Sequence, residues 1–125
     1  MSNATLLLAV ATGGAFGALA RYATMLAVAP LSGRAFWLAT LLINVLGSFA
    51  LGLLYGASQR RGVAPWVTAL VGVGALGAFT TFSTFAVELV RLLQAQRLVE
   101  AGAYGLCSVV FATLAAWLGV RLVLP

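Results

Sequence analysis

The chain has 125 residues, 63% of them hydrophobic and 7% charged. A soluble domain carries about 25% charged residues, so this much apolar surface excludes a water-solvated fold and makes bilayer lipid the solvent. The formal charge of +5 is the balance of seven arginines against two glutamates, and the arginines stand singly or in pairs at the ends of apolar runs, not in the clusters that a nucleic-acid footprint needs.

A hydrocarbon core of about 30 Å takes about 20 helical residues, and successive apolar segments meet that length. The first is predicted over residues 5–28, ending near Pro30. Ala18-Leu19-Ala20 looks like a signal-peptidase site, but Ser2 to Thr5 lack the usual basic residues. The run is therefore read as a span whose small residues, Gly13-x-x-x-Gly17 among them, allow close helix approach. Arg21 falls inside it. A charge there is a functional candidate by default, or a side chain snorkelling to the headgroups.

The second span is predicted over residues 36–58, before Gln59-Arg60-Arg61-Gly62. Thr40, Asn44 and Ser48 share one face at i, i+4 spacing. An intramembrane Asn glues helices together or donates amide hydrogens to an anion. Gly52-x-x-x-Gly56 offers a further close-approach face, with no indication of which helix it meets.

The third span, residues 66–94, carries the most informative stretch, Gly77-Ala78-Phe79-Thr80-Thr81-Phe82-Ser83-Thr84-Phe85. In lipid every polar group needs a partner, so this density of hydroxyls marks tight packing or a polar path. The preceding Gly72-Val73-Gly74-Ala75-Leu76-Gly77 matches a dinucleotide pattern but lacks its βαβ context and its acidic residue at the right spacing. Glycines weaken a helix and β-branched threonines strain it. Two readings follow: a continuous helix packed through its glycines, or a break near Gly77–Thr81 whose freed carbonyls could hold Na⁺. Phe79, Phe82 and Phe85 recur on one helical face, as core packing or as positive ring edges turned to an anion. Glu88 is expected to reach the interface near Arg91.

The fourth span is predicted over residues 99–122, with Tyr104 and Ser108 as an i, i+4 polar pair. Trp37, Trp66 and Trp117 fall near span ends, as interfacial anchors do. The loops are short, which predicts a single tetraspan transmembrane domain over residues 1–125.

The spans put Arg60, Arg61 and Arg121 on one side and Arg34, Arg91 and Arg97 on the other, with almost no bias for orientation. Either the few charges balance by accident, or the chain inserts both ways and pairs antiparallel, an arrangement related to inverted-repeat transporters. Two copies could also enclose pathways that one small bundle cannot. Histidine is absent and Cys107 is the only cysteine. That excludes His/Cys metal clusters, hydrolytic triads and intrachain disulfides. No carboxylate pair is placed for acid–base work, and enzyme function is not expected.

Three blocks resemble the CrcB/Fluc-type fluoride channels: Gly13-Gly14-Ala15-Phe16-Gly17-Ala18-Leu19-Ala20-Arg21-Tyr22; Thr40-Leu41-Leu42-Ile43-Asn44-Val45-Leu46-Gly47-Ser48; and Gly74 to Phe85 with Glu88. The resemblance implies an all-α membrane protein of four transmembrane helices, the third broken near its middle, assembled as an antiparallel, dual-topology homodimer. It implies passive fluoride efflux that lowers cytoplasmic fluoride, from a multi-pass position in the cell inner membrane, with a structural Na⁺ at the dimer centre held by the backbone carbonyls of Gly77 and Thr80. Phe82 and Phe85 would line the fluoride path with their ring edges and Asn44 would supply an amide. Thr81, Ser83, Thr84, Tyr104 and Ser108 would complete the polar lining, and Arg21 would sit near a vestibule. Ala78 stands where the family often has a second glycine, and Ala112, one turn after Ser108, where some members carry a hydroxyl. The competing functions are a small dual-topology multidrug exporter, for which Glu88 is the only coupling carboxylate, and a non-transporting membrane scaffold.

Overall fold

A computed structural model describes residues 1–124. It is all-helical: α1 (Asn3–Ser32), α2 (Leu38–Arg61), α3 (residues 65–79), α4 (Phe82–Gln94) and α5 (Leu98–Val123). Among the described residues, α1, α2, the α3–α4 unit and α5 give four spans long and apolar enough to cross a bilayer. The protein is a multi-pass membrane protein.

The helix ends follow local chemistry. The Ser2 hydroxyl accepts the Thr5 N–H at 3.3 Å and caps α1. α1 ends near Pro30, which lies in its last turn before Ser32. Gly62, at φ 72°, turns the chain out of α2, and Pro65 opens α3 at a position where its missing N–H costs nothing. The Arg60 guanidinium donates to the Val123 carbonyl at 3.1 Å, and that of Arg97 to the Arg34 carbonyl at 3.3 Å. These bonds put Arg60 beside the end of α5, and Arg97 beside Arg34, as the charge partition required.

In lipid the hydrophobic effect does not press helices together; close backbone approach does. α1 packs chiefly on α3, and α2 on α5. A Cβ at Gly13 would meet the Leu70 carbonyl, and one at Gly17 the Ala75 carbonyl. One at Gly52 would meet the Ala116 carbonyl, and one at Gly119 the Phe49 carbonyl. The first glycine pair therefore seats α1 on α3, and Gly52 with Gly119 seats α2 on α5. From Thr68 to Leu76, α3 is wound as a π-helix, the wide form that usually appears only as single turns.

The third span breaks. Phe79 is the last helical residue of α3, and Thr80 (φ −75°, ψ 157°) and Thr81 (φ −152°, ψ 113°) are extended before α4 begins. A continuous third helix is thereby excluded. The break also corrects the expected phenylalanine stripe: Phe79 ends one helix and turns towards Gly47 of α2, while Phe82 and Phe85 belong to the next. The buried apolar cluster sits where α4 and α5 meet, with Phe85, Leu92, Ala101 and Tyr104 at its centre and Phe36, Trp37, Leu41 and Leu89 against it.

Gly52→Val should cost roughly 1–3 kcal/mol of stability, because the new side chain meets a backbone carbonyl that no rotamer change can avoid. Gly102→Ala, where an added Cβ has nothing within 4 Å, should cost nothing. Thermal unfolding in detergent reads both, and equal midpoints would contradict the close α2–α5 contact.

Candidate ion pathway

The break is held open by a side chain from another helix. In an unbroken helix the Thr81 N–H would bond the Gly77 carbonyl. Here it donates to Asn44 Oδ1 at 2.8 Å, and Asn44 Nδ2 donates back to the Thr81 carbonyl at 3.0 Å. Asn44 thus clamps both polar groups of one residue. The Thr81 hydroxyl then caps α4, accepting the Thr84 N–H at 3.3 Å and donating to the Thr84 hydroxyl at 3.0 Å. The last bonds of α3 are those of the Thr80 N–H and hydroxyl to the Leu76 carbonyl, both 3.0 Å.

Two carbonyls lose their helical donors in this arrangement. That of Gly77 loses the Thr81 N–H to Asn44, and that of Thr80 loses the Thr84 N–H to the Thr81 hydroxyl. These are the two groups expected to face a cation, and the donor set is chemically suited to a hard ion that takes oxygen ligands.

An open groove of about 390 Å³ runs between α2, the break, α4 and α5. Of the expected lining residues, Asn44, Thr81, Phe82, Phe85 and Ser108 border it, with Thr80 alongside. Ser83, Thr84 and Tyr104 do not. Thr84 is occupied with the Thr81 cap, and Tyr104 is fully buried behind Phe85. Arg21 lies on α1, which contributes no residue to the groove. A second hollow of about 290 Å³ shares Ser48 and Leu51 with the groove and extends past Tyr55.

The groove is mostly apolar, with sparse donors. The Ser108 hydroxyl is buried and has no hydrogen-bond partner among the described residues, a state that costs about 1–3 kcal/mol. Asn44 keeps one of its two amide hydrogens beyond the clamp. The Phe82 and Phe85 rings lie 5.5 Å apart at 48°. Phe85 is 9% exposed and Phe82 78%, so one ring is fixed in the bundle and the other projects from it. Ser48 and Thr113 also border the groove. Thr113 is five residues past Ser108, off the i, i+4 spacing by which hydroxyls were paired in the sequence.

Glu88 corrects a further expectation. It does not reach the interface; it is 6% exposed. Thr40 donates its hydroxyl to Oε1 at 3.0 Å and Tyr104 donates to Oε2 at 2.7 Å. The reason is helical phase: the buried face of α4 is Phe85, Glu88 and Leu92, which puts Glu88 inside and Arg91 outside. The Arg91 guanidinium instead lies over the Phe36 ring at 4.2 Å. A carboxylate this deep needs a donor at each oxygen, and α2 and α5 each supply one.

Comparison with known proteins places the chain in a family. The profile of the family described as "CrcB-like protein, Camphor Resistance (CrcB)" matches residues 8–120. A "Fluoride-specific ion channel FluC" of Alteromonas mediterranea is 46% identical over 115 residues, covering 90% of each chain. Proteins of the same name from Shewanella sediminis and Shewanella amazonensis are 44% and 40% identical over 120 and 114 residues, spanning 94% of both chains and 91% and 92% respectively. With matches of this extent across all the spans, the protein that breaks its third membrane helix against Asn44 belongs to the CrcB-like family.

Proposed function

We propose that this protein is a fluoride-selective channel that lowers cytoplasmic fluoride by passive efflux across the cell inner membrane. The observation that carries the proposal is the donor chemistry of the groove: the Ser108 hydroxyl is buried without a partner beside Phe85. Support also comes from the relatives, whose names specify fluoride.

Fluoride is small and strongly hydrated, so a path that strips its water must return hydrogen-bond donors. Ser108, the spare Asn44 hydrogen and the positive edges of Phe82 and Phe85 supply them. The sequence holds no lysine, and among the described residues no arginine borders the groove. That matters because conduction requires binding weak enough to release the ion. Hydrogen fluoride enters an acidified cell neutral and dissociates, and a potential negative inside drives the anion out.

One chain leaves the groove open and Phe82 uncovered. A second copy inserted antiparallel would close it, and the even distribution of arginines between the two sides is what insertion both ways requires. In that homodimer the carbonyls of Gly77 and Thr80 would hold a structural Na⁺ at the centre, tying the two breaks together, and Arg21 would favour anion entry near a vestibule. Thr81, with Ser83, Thr84 and Tyr104 behind it, would support the polar side of the path. A proton-coupled exporter fits less well. Its only embedded carboxylate, Glu88, has both oxygens bonded and does not border the groove. A scaffold would have no use for an orphaned Ser108 hydroxyl.

Purified protein in liposomes should release fluoride rapidly, exclude chloride and show no coupling to a proton gradient. Phe85→Ile should lower the flux at least roughly tenfold with the dimer intact. Ser108→Ala should also lower it, without loss of thermal stability, because it removes an unsatisfied hydroxyl. Unaltered flux in both variants would refute the proposed lining. For the cation, the expected stoichiometry is one Na⁺ per dimer. Raising Na⁺ against a bulky organic cation at constant ionic strength should raise the unfolding temperature, and indifference to Na⁺ would remove the ion from the account.

A further inference from the structure

A second chain of contacts begins at the membrane surface and ends at the groove. Its outer member is Glu100, in the first turn of α5. Oε2 of Glu100 pairs with Arg97 at 2.6 Å, and Oε1 accepts the indole N–H of Trp37 at 2.7 Å. The Trp37 ring stacks on Tyr104, with centroids 5.0 Å apart at 29°. Tyr104 in turn meets Phe85 edge-on at 5.2 Å and 66°, and Phe85 borders the groove. Every step is a direct contact, so a surface carboxylate is joined to a groove phenyl through two rings.

The links differ in strength. The hydroxyl of Tyr104 is held by Glu88, but one face of its ring rests on Trp37. Trp37 has a single donor, and Glu100 takes it in a charge-assisted bond, roughly twice as strong as a neutral one. The Arg97–Glu100 pair is part-exposed, and such surface pairs contribute little by themselves. The bond that matters is therefore the one from Trp37 to Glu100.

We propose that Glu100 is a positioning residue for conduction: by holding the indole N–H of Trp37 it fixes the Tyr104 ring, and through that ring the set of Phe85 at the groove. The inference rests on the fluoride-channel function proposed above. Without the carboxylate Trp37 gains other orientations, and flux falls with the fraction of chains that keep Phe85 correctly set.

The experiment is fluoride and chloride efflux from liposomes holding equal amounts of wild-type protein, Glu100→Leu, Glu100→Gln, Arg97→Gln and Trp37→Phe. Glu100→Leu should lower fluoride efflux roughly tenfold, the scale of one lost hydrogen bond to a charged group, and should narrow the fluoride-to-chloride ratio. A defect of folding alone would lower the rate and leave that ratio unchanged. Arg97→Gln, which leaves the Trp37 bond in place, should stay within about twofold of wild type, and Glu100→Gln, which keeps an acceptor for Trp37 without its charge, should fall between wild type and Glu100→Leu. Trp37→Phe keeps a ring on Tyr104 but donates nothing, and should reproduce the Glu100→Leu loss, which covers the case of a Leu variant that does not fold. Wild-type rates and ratio in Trp37→Phe, or an equal loss in Glu100→Gln and Glu100→Leu, overturn the inference while leaving the channel standing. Wild-type vesicles that release no fluoride overturn both.

Discussion

Two hydrogen bonds between Asn44 and the Thr81 backbone decide the form of this membrane domain. A helix that stops inside a bilayer exposes backbone groups that lipid cannot satisfy. Here the Asn44 amide matches one residue donor for acceptor, at 2.8 and 3.0 Å, much as a neighbouring strand would. With Thr81 held, its hydroxyl is free to start α4, and α4 leaves the break with Phe82 and Phe85 on its first turns. The carbonyls of Gly77 and Thr80 are left to find other partners. The groove and the phenyl rings that border it derive from this clamp, and the cation site proposed above depends on it.

The rest of the bundle keeps the clamp in register. α2 carries Asn44, and its position depends on backbone-close packing against α5, where Gly52 and Gly119 admit the facing carbonyls. α3 is seated the same way on α1 through Gly13 and Gly17. α4 has no such glycine seam. It is anchored by Phe85 and Leu92 and by the Glu88 carboxylate, which draws a hydroxyl from α2 and another from α5. A buried carboxyl group that accepts two hydrogen bonds is directional, so it fixes the rotation of α4 more tightly than apolar packing in an apolar solvent could. The two halves of the third span are thus held by different physics, shape for α3 and polar pairing for α4.

Much of this was legible in the sequence, within limits that local pattern imposes. Spans depend on runs of apolar residues, and each of the four runs forms one; their ends differ by a few residues, as at Pro30, which α1 passes before it ends at Ser32. A break near Gly77–Thr81 could be read from glycines followed by β-branched threonines, but not chosen over a continuous helix, because the group that holds it open lies on α2. The same limit explains the corrections. Its neighbour Arg91 points Glu88 to the interface, while its true partners, Thr40 and Tyr104, are 48 and 16 residues away in the chain. Phe79 was grouped with Phe82 and Phe85 by a period that holds only if the helix runs on. The family resemblance named Asn44, Phe82, Phe85 and Ser108, and all of these border the groove. It could not show that Thr84 serves the cap or that Tyr104 is sealed behind Phe85.

The clamp is tested most directly by measuring fluoride efflux, with an ion-selective electrode, from liposomes that contain either the wild-type protein or Asn44→Ala. The account predicts rapid release from the wild type and nearly none from the variant, because the Thr81 N–H returns to Gly77 and the third helix closes. Release from Asn44→Ala at the wild-type rate would contradict it.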